Sequence, residues 1–94
     1  MIVAFSAKAI ADLEDIAFYI AEDNETRALS FTDEIERKCL SLANLSYRGA
    51  MRPNLGQNIR ILSHGRYNIY YRVGDEVEIL RILHGARQVD EGEI

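Results

Sequence analysis

Along the first half of the chain apolar residues recur every three or four positions, and from Ile59 onward they recur mostly every second position. The first spacing turns one stripe of a helix toward a core, and the second alternates side chains across a strand. Ile2 to Phe5 is a short β-prone run that predicts an opening strand. Ser6 then offers a hydroxyl suited to cap a helix, whose inner stripe is predicted as Ile10, Leu13, Ala17 and Ile20. Asp12, Glu14 and Asp15 are placed near its start, where carboxylates complement the helix dipole. Glu22-Asp23-Asn24-Glu25 breaks the pattern. A second helix is predicted from about Thr26, with Ala28, Phe31, Ile35, Cys39 and Leu42 on one face. So short a break makes the helices antiparallel. Asn24 is expected in the turn, with Ile10, Leu13, Ile20, Phe31 and Ile35 buried.

Three strands are predicted in the last third: Ile59 to Leu62, Arg66 to Val73 and Val77 to Arg87. His64-Gly65 and Gly74-Asp75 are dipeptides of the kind that close hairpins. In the middle strand Tyr67, Ile69 and Tyr71 face one way, and Asn68, Tyr70 and Arg72 the other. In the last strand Val77, Ile79, Arg81 and Leu83 alternate with Glu78, Leu80, Ile82 and His84. Both of its faces are largely apolar, which predicts a central strand. Helices can cover only one face, so the other calls for a second copy of the chain or a partner peptide. Arg48 to Asn58 reads as a loop, and Gln88 to Ile94 as a polar tail expected to fray. The fold class is α+β: a helical hairpin packed on a small antiparallel sheet, order β-α-α-β-β-β, in a single domain spanning residues 1–94.

With 94 residues the core is modest, burying roughly 60–65% of the surface exposed by the unfolded chain. No apolar run approaches the roughly 20 residues of a membrane span, and Met1 to Phe5 has no basic leader. Cys39 stands alone on an apolar stripe and reads as a small buried hydrophobe. These features point to the cytoplasm. The formal charge of −4 is unevenly divided. Met1 to Asn44 holds nine acids and four bases, Leu45 to Val89 seven arginines and three acids, and Asp90 to Ile94 three acids. A positive sheet beside acidic helices suggests that the sheet side meets something anionic. The overall acidity argues against tight binding of free nucleic acid.

The chain has no glycine-rich phosphate loop and no His, Cys or Asp spacing that would hold a metal, so neither cofactor nor metal is expected. His64 reads as a hairpin turn residue and His84 as a strand end bonded to backbone, each ahead of a catalytic base. Arg60, Arg66, Arg72, Arg81 and Arg87 could surround a phosphate or pair with the acidic helices. For Arg60 and Arg72 both readings stay open. Tyr67, Tyr70 and Tyr71 could stack on bases, but packing of the sheet is the simpler account.

These residues resemble the RelE/ParE superfamily of toxins from bacterial toxin–antitoxin pairs. The resemblance is carried by Asp12-Leu13, Ile16 and Tyr19-Ile20-Ala21 in the first helix, and by Ala28, Phe31 and Ile35 in the second. Gly49, Arg52-Pro53 and Leu55 match in the loop, and Ile59-Arg60, Leu62, Tyr67 to Val73 and Ile79 to Arg87 in the strands. The ending Leu83-His84-Gly85-Ala86-Arg87 looks most like the ParE branch. The resemblance implies a toxin neutralised by a cognate antitoxin with a flexible C-terminal segment. ParE-like members poison DNA gyrase, whereas RelE-like members cut messenger RNA on the ribosome. The cutting branch carries lysines where this chain has Ile59 and Ile61, an arginine where it has Asn68, and a terminal tyrosine that Asp90 to Ile94 lacks.

The ParE-like reading is therefore expected, with a non-enzymatic mechanism and no catalytic residues. A messenger-RNA endonuclease using Arg81, Arg87 and His84, or a decayed toxin that only binds its antitoxin, are the alternatives. The expected antitoxin- or target-binding residues are Arg60, Arg72, Leu80, Arg81, Ile82, His84 and Arg87. Gyrase is the expected target, operator DNA is expected to be met only through the antitoxin, and a membrane is not expected as a partner. A homodimer or a toxin–antitoxin hetero-oligomer are the expected assemblies.

Overall fold

The computed structural model describes residues 1–94. Strand β1 (Val3–Phe5) leads into helices α1 (Ala7–Ala21) and α2 (Glu25–Ser41), followed by β2 (Ala50–Met51), β3 (Ile59–His64), β4 (Tyr67–Val73) and β5 (Val77–His84). The sheet order is β1-β5-β4-β3-β2. All pairings are antiparallel except β1 with β5, which is parallel. The α+β class matches expectation and the order β-α-α-β-β-β is kept apart from the added short β2, but the sheet is mixed. Its parallel pair arises because α1 leaves β1 and the hairpins return to it only through β5.

Local chemistry accounts for the helix ends. The Ser6 hydroxyl accepts from the Ala9 N–H at 3.0 Å, and the Asn24 side chain from the Arg27 N–H at 2.9 Å. Asn24 therefore stands in the turn, as expected. On α2 the predicted stripe holds: Ala28, Ile35, Cys39 and Leu42 are buried and Phe31 is half-buried. On α1 the stripe is turned by one residue. Ala9, Asp12 and Ile16 are buried, Leu13 and Ile20 half-buried, and Ile10 exposed. Asp12 lies in the sixth position of α1, beyond the first turn, and serves the sheet instead of the helix dipole.

The helix-side core joins Ile16, Ile35, Cys39 and Leu42 to Ile69, Tyr71, Val73, Val77, Ile79 and Ile82. Burial raises the Cys39 thiol to about 12, with Glu36 adding to the shift, in keeping with a packing role. Tyr71 is fully buried, and its hydroxyl accepts from the Gly49 N–H at 2.7 Å. Only glycine fits there, because a Cβ would sit 2.7 Å from that hydroxyl and 2.8 Å from the Ile61 carbonyl oxygen. Gly65 opens the two-residue β3–β4 turn with φ of 58°, a conformation that favours glycine.

The last strand departs from simple alternation. Tyr70 lies opposite Arg81 and Tyr71 opposite Ile79, so Leu80 is an extra residue in a β-bulge. Beyond it the phase is reversed. Ile82 joins the helix-side core, while Leu80 and Leu83 join an outer cluster with Leu55, Ile59 and Tyr70. That outer face is not bare. Val89 and Ile94 pack on it, and Glu91–Glu93 forms a 3-10 turn instead of fraying. The region expected to be a loop contributes β2, paired with β3, and a 3-10 turn at Pro53–Leu55. No helix is long and apolar enough to cross a membrane.

Candidate functional site

Strand β1 is short, so the free edge of β5 is closed by α1. The Ser6 N–H donates to the Ile79 carbonyl at 2.9 Å, and the Ser6 hydroxyl to the Leu80 carbonyl at 2.8 Å. The Asp12 carboxylate accepts from the Ile82 N–H at 2.9 Å, doing what a neighbouring strand would do. The same carboxylate receives Arg81 through two bonds, Nε at 2.8 Å and Nη2 at 2.9 Å. Arg81 also donates to the Glu93 carbonyl at 2.8 Å. Hydrogen bonding to Asp12 holds the guanidinium in its charged form more firmly than usual, against the opposing effect of burial. This bidentate pair is the electrostatic centre of the β5 edge.

Around it the structure gathers three of the expected site residues. Arg81, His84 and Arg87 lie at one end of β5, and Asp12, His84 and Arg87 line one shallow depression there. Arg87 approaches the Glu93 carboxylate at 3.3 Å, without the alignment of a hydrogen bond. His84 packs edge-on against Tyr67, with ring centroids 5.5 Å apart, and its Nδ1 accepts from the Ala86 N–H at 3.1 Å. That acceptor role places the proton of a neutral ring on Nε2. His64 packs on Phe31 and lies 3.2 Å from a Glu34 oxygen.

A neighbouring cleft of about 560 Å³ runs between the helical hairpin and the sheet end. Tyr19 and Phe31 line it from the helices, Tyr67 and His84 from the strands, with Arg27 and Arg66 at its border. Tyr19 is 70% exposed, and Phe18 beside it 72%. An apolar floor with cations nearby suits a peptide carrying apolar and acidic side chains.

The other expected residues are elsewhere. Arg60 is on β3, bonded to the Tyr47 and Gly49 carbonyls at 3.2 and 2.8 Å and stacked 4.9 Å above the Tyr47 ring. Arg72 is exposed on β4, 3.6 Å from Glu78. Neither pairs with the helices. Leu80 and Ile82 are buried on opposite faces, so the open apolar surface expected along the last strand is absent. Sequence reasoning missed Asp12, Tyr19 and Phe31 as parts of this end of the molecule. The available signal was Asp12 itself, a charge set between Ala9 and Ile16 at the spacing of a buried stripe.

Residues 3–89 match the family model described as the ParE toxin of the type II toxin–antitoxin system parDE. The chain is 32% identical over 80 residues to Toxin ParE1 of Caulobacter vibrioides, covering 84% of this chain and 83% of that protein. Among solved structures it is similar to a chain of the chromosomal ParDE toxin–antitoxin system from P. aeruginosa. The TM-score is 0.74 at 30% identity, with 89% of this chain and 95% of that chain covered.

Proposed function

The chain belongs to the family of ParE toxins of type II toxin–antitoxin systems, and from that membership we propose that it is a cytoplasmic, non-enzymatic poison of DNA gyrase held in check by a cognate antitoxin. The observation that carries the non-enzymatic reading is the Asp12–Arg81 pair. Cleavage of RNA by this end of the molecule would need free cations around the scissile phosphate and a base to take the attacking proton. Arg81 is instead neutralised by Asp12, Arg87 lies against Glu93, and the Nδ1 of His84 is engaged by backbone. A binding surface suffers no such loss.

The antitoxin segment is assigned to the cleft between Tyr19, Phe31, Tyr67 and His84, with acidic side chains directed at Arg66. Arg60, Arg72 and Leu80 lie outside it, and Ile82 belongs to the helix-side core against which Phe31 and Tyr67 pack. Burial of apolar area supplies most of the affinity, at roughly 25 cal/mol per Å² before ordering costs. The deciding experiment adds purified toxin to gyrase with plasmid DNA, beside a translation-coupled RNA-cleavage assay. Loss of supercoiling with accumulation of cleaved plasmid is expected. Normal supercoiling at excess toxin, together with cuts in ribosome-bound messenger RNA that vanish on Arg87→Ala, would replace this reading with the endonuclease.

A further inference from the structure

All fifteen acidic residues lie outside residues 37–74; the last before this stretch is Glu36 and the first after it is Asp75. The stretch holds seven cations, Arg37, Lys38, Arg48, Arg52, Arg60, Arg66 and Arg72, in a chain whose net charge is −4. The fold collects three of them at the β2 edge. Arg48 and Arg52 flank the two residues of β2, and Arg60 follows from β3, directly opposite Met51. None of the three has a carboxylate within 4.0 Å, whereas Arg27, Arg37, Arg72, Arg81 and Arg87 all do. The Tyr47 and Gly49 carbonyls and the Tyr47 ring hold Arg60 in place. Arg48 and Arg52 are exposed.

We propose that this edge, with Arg48, Arg52 and Arg60, binds the phosphate backbone of duplex DNA. Asn54, Gln57 and Asn58, in the same stretch of sequence, are of the types that hydrogen-bond phosphate, and no carboxylate lies within 4.0 Å of the three arginines. Single strands are recognised by stacking successive bases on several open aromatic faces, but Tyr47 is the one exposed aromatic residue between residues 37 and 74, and Arg60 already stacks on one of its faces. The acidic remainder of the chain keeps the interaction weak and orients it edge-on. This goes beyond the gyrase reading and is tested without the enzyme.

The test is fluorescence anisotropy of a labelled mixed-sequence DNA duplex, titrated with the full chain between about 50 and 200 mM salt. Wild type should bind at low salt, with log K falling against log salt at a slope of about −2 to −3 for three phosphate contacts. The double variant Arg48→Gln/Arg52→Gln should lose about tenfold or more in affinity at low salt and reduce the slope by about 2. Arg37→Gln, on α2 and paired with Asp33, should bind as wild type. Circular dichroism melts will confirm that the variants fold. An absence of salt-dependent binding by wild type would overturn the proposal, as would an unchanged double variant. Equal or tighter binding of an RNA duplex, or of polyglutamate at matched charge, would reassign the edge to another polyanion.

Discussion

The two edges of the sheet use the same side chain for opposite purposes. At the β5 edge Arg81 is locked between Asp12 and the Glu93 backbone, and its exposure falls to 15%. At the β2 edge Arg48 and Arg52 have no carboxylate in reach, and Arg60 is held only by carbonyls and a tyrosine ring. The difference lies in what packs alongside. Helix α1 brings a carboxylate to β5, while β2 is approached by an acid-free loop. An arginine therefore becomes structure at one edge and available charge at the other.

The sharpest way to break this comparison is Asp12→Ala. It leaves Arg81 and the Ile82 N–H without their partner in a largely buried setting, so a loss of about 3–5 kcal/mol in urea denaturation is expected. A loss below about 1 kcal/mol would mean that the β5 edge is no more structural than the other.

Gly49→Ala probes the anchor of the β2 edge. The new methyl would meet the Tyr71 hydroxyl and the Ile61 carbonyl, and a cost of about 1–3 kcal/mol is expected. Wild-type stability in this variant would show that the loop is not fastened to the core through Tyr71. Smaller effects follow at the charges themselves. Arg60→Ala should cost about 1 kcal/mol through its lost carbonyl bonds. Arg72→Ala should cost less than about 0.5 kcal/mol, because its pairing with Glu78 is solvated. Equal losses from Arg60→Ala and Asp12→Ala would erase the distinction between the edges.

The smallest effect belongs to Glu34, on neither edge. Hydrogen bonding from Arg27, and then from His64, holds its carboxyl below the ordinary 4.5. A carboxyl lowered on folding contributes stability that is present above its unfolded pKa and lost as pH falls through the folded one. The slope of stability against pH below about 4.5 should therefore be shallower in Glu34→Gln, in melts recorded across the acid range. Identical slopes in the two proteins would leave the Arg27–Glu34 contact without a thermodynamic role.

Part of the β5 end was legible one strand at a time. Arg81 and His84 lie together because both are on β5, and Arg87 follows only three residues beyond the strand's end. Arg60 and Arg72 were grouped with them on charge alone. Strand order places Arg60 beside the short β2, and Arg72 opposite Ile59 and Glu78. The cleft residues Tyr19 and Phe31 had no signal marking them as neighbours of His84, since each read simply as part of a helix.

What the sequence by itself determined were the features written in local spacing. These are the two helices, the Ser6 cap and the Asn24 turn, the α2 stripe, the faces of β4, the hairpin glycine and the buried Cys39. Each depends on residues within a turn or a pleat of one another. Tertiary structure alone decided what depends on distant partners. Asp12 and Arg81 are 69 positions apart, and their pairing rotates the α1 stripe and puts Ile10 in solvent. The Leu80 bulge reverses the faces of β5, which strict alternation does not anticipate. Val89 and Ile94 cover the outer face because a second apolar surface must be shielded from water, and the nearest chain able to do so is the protein's own.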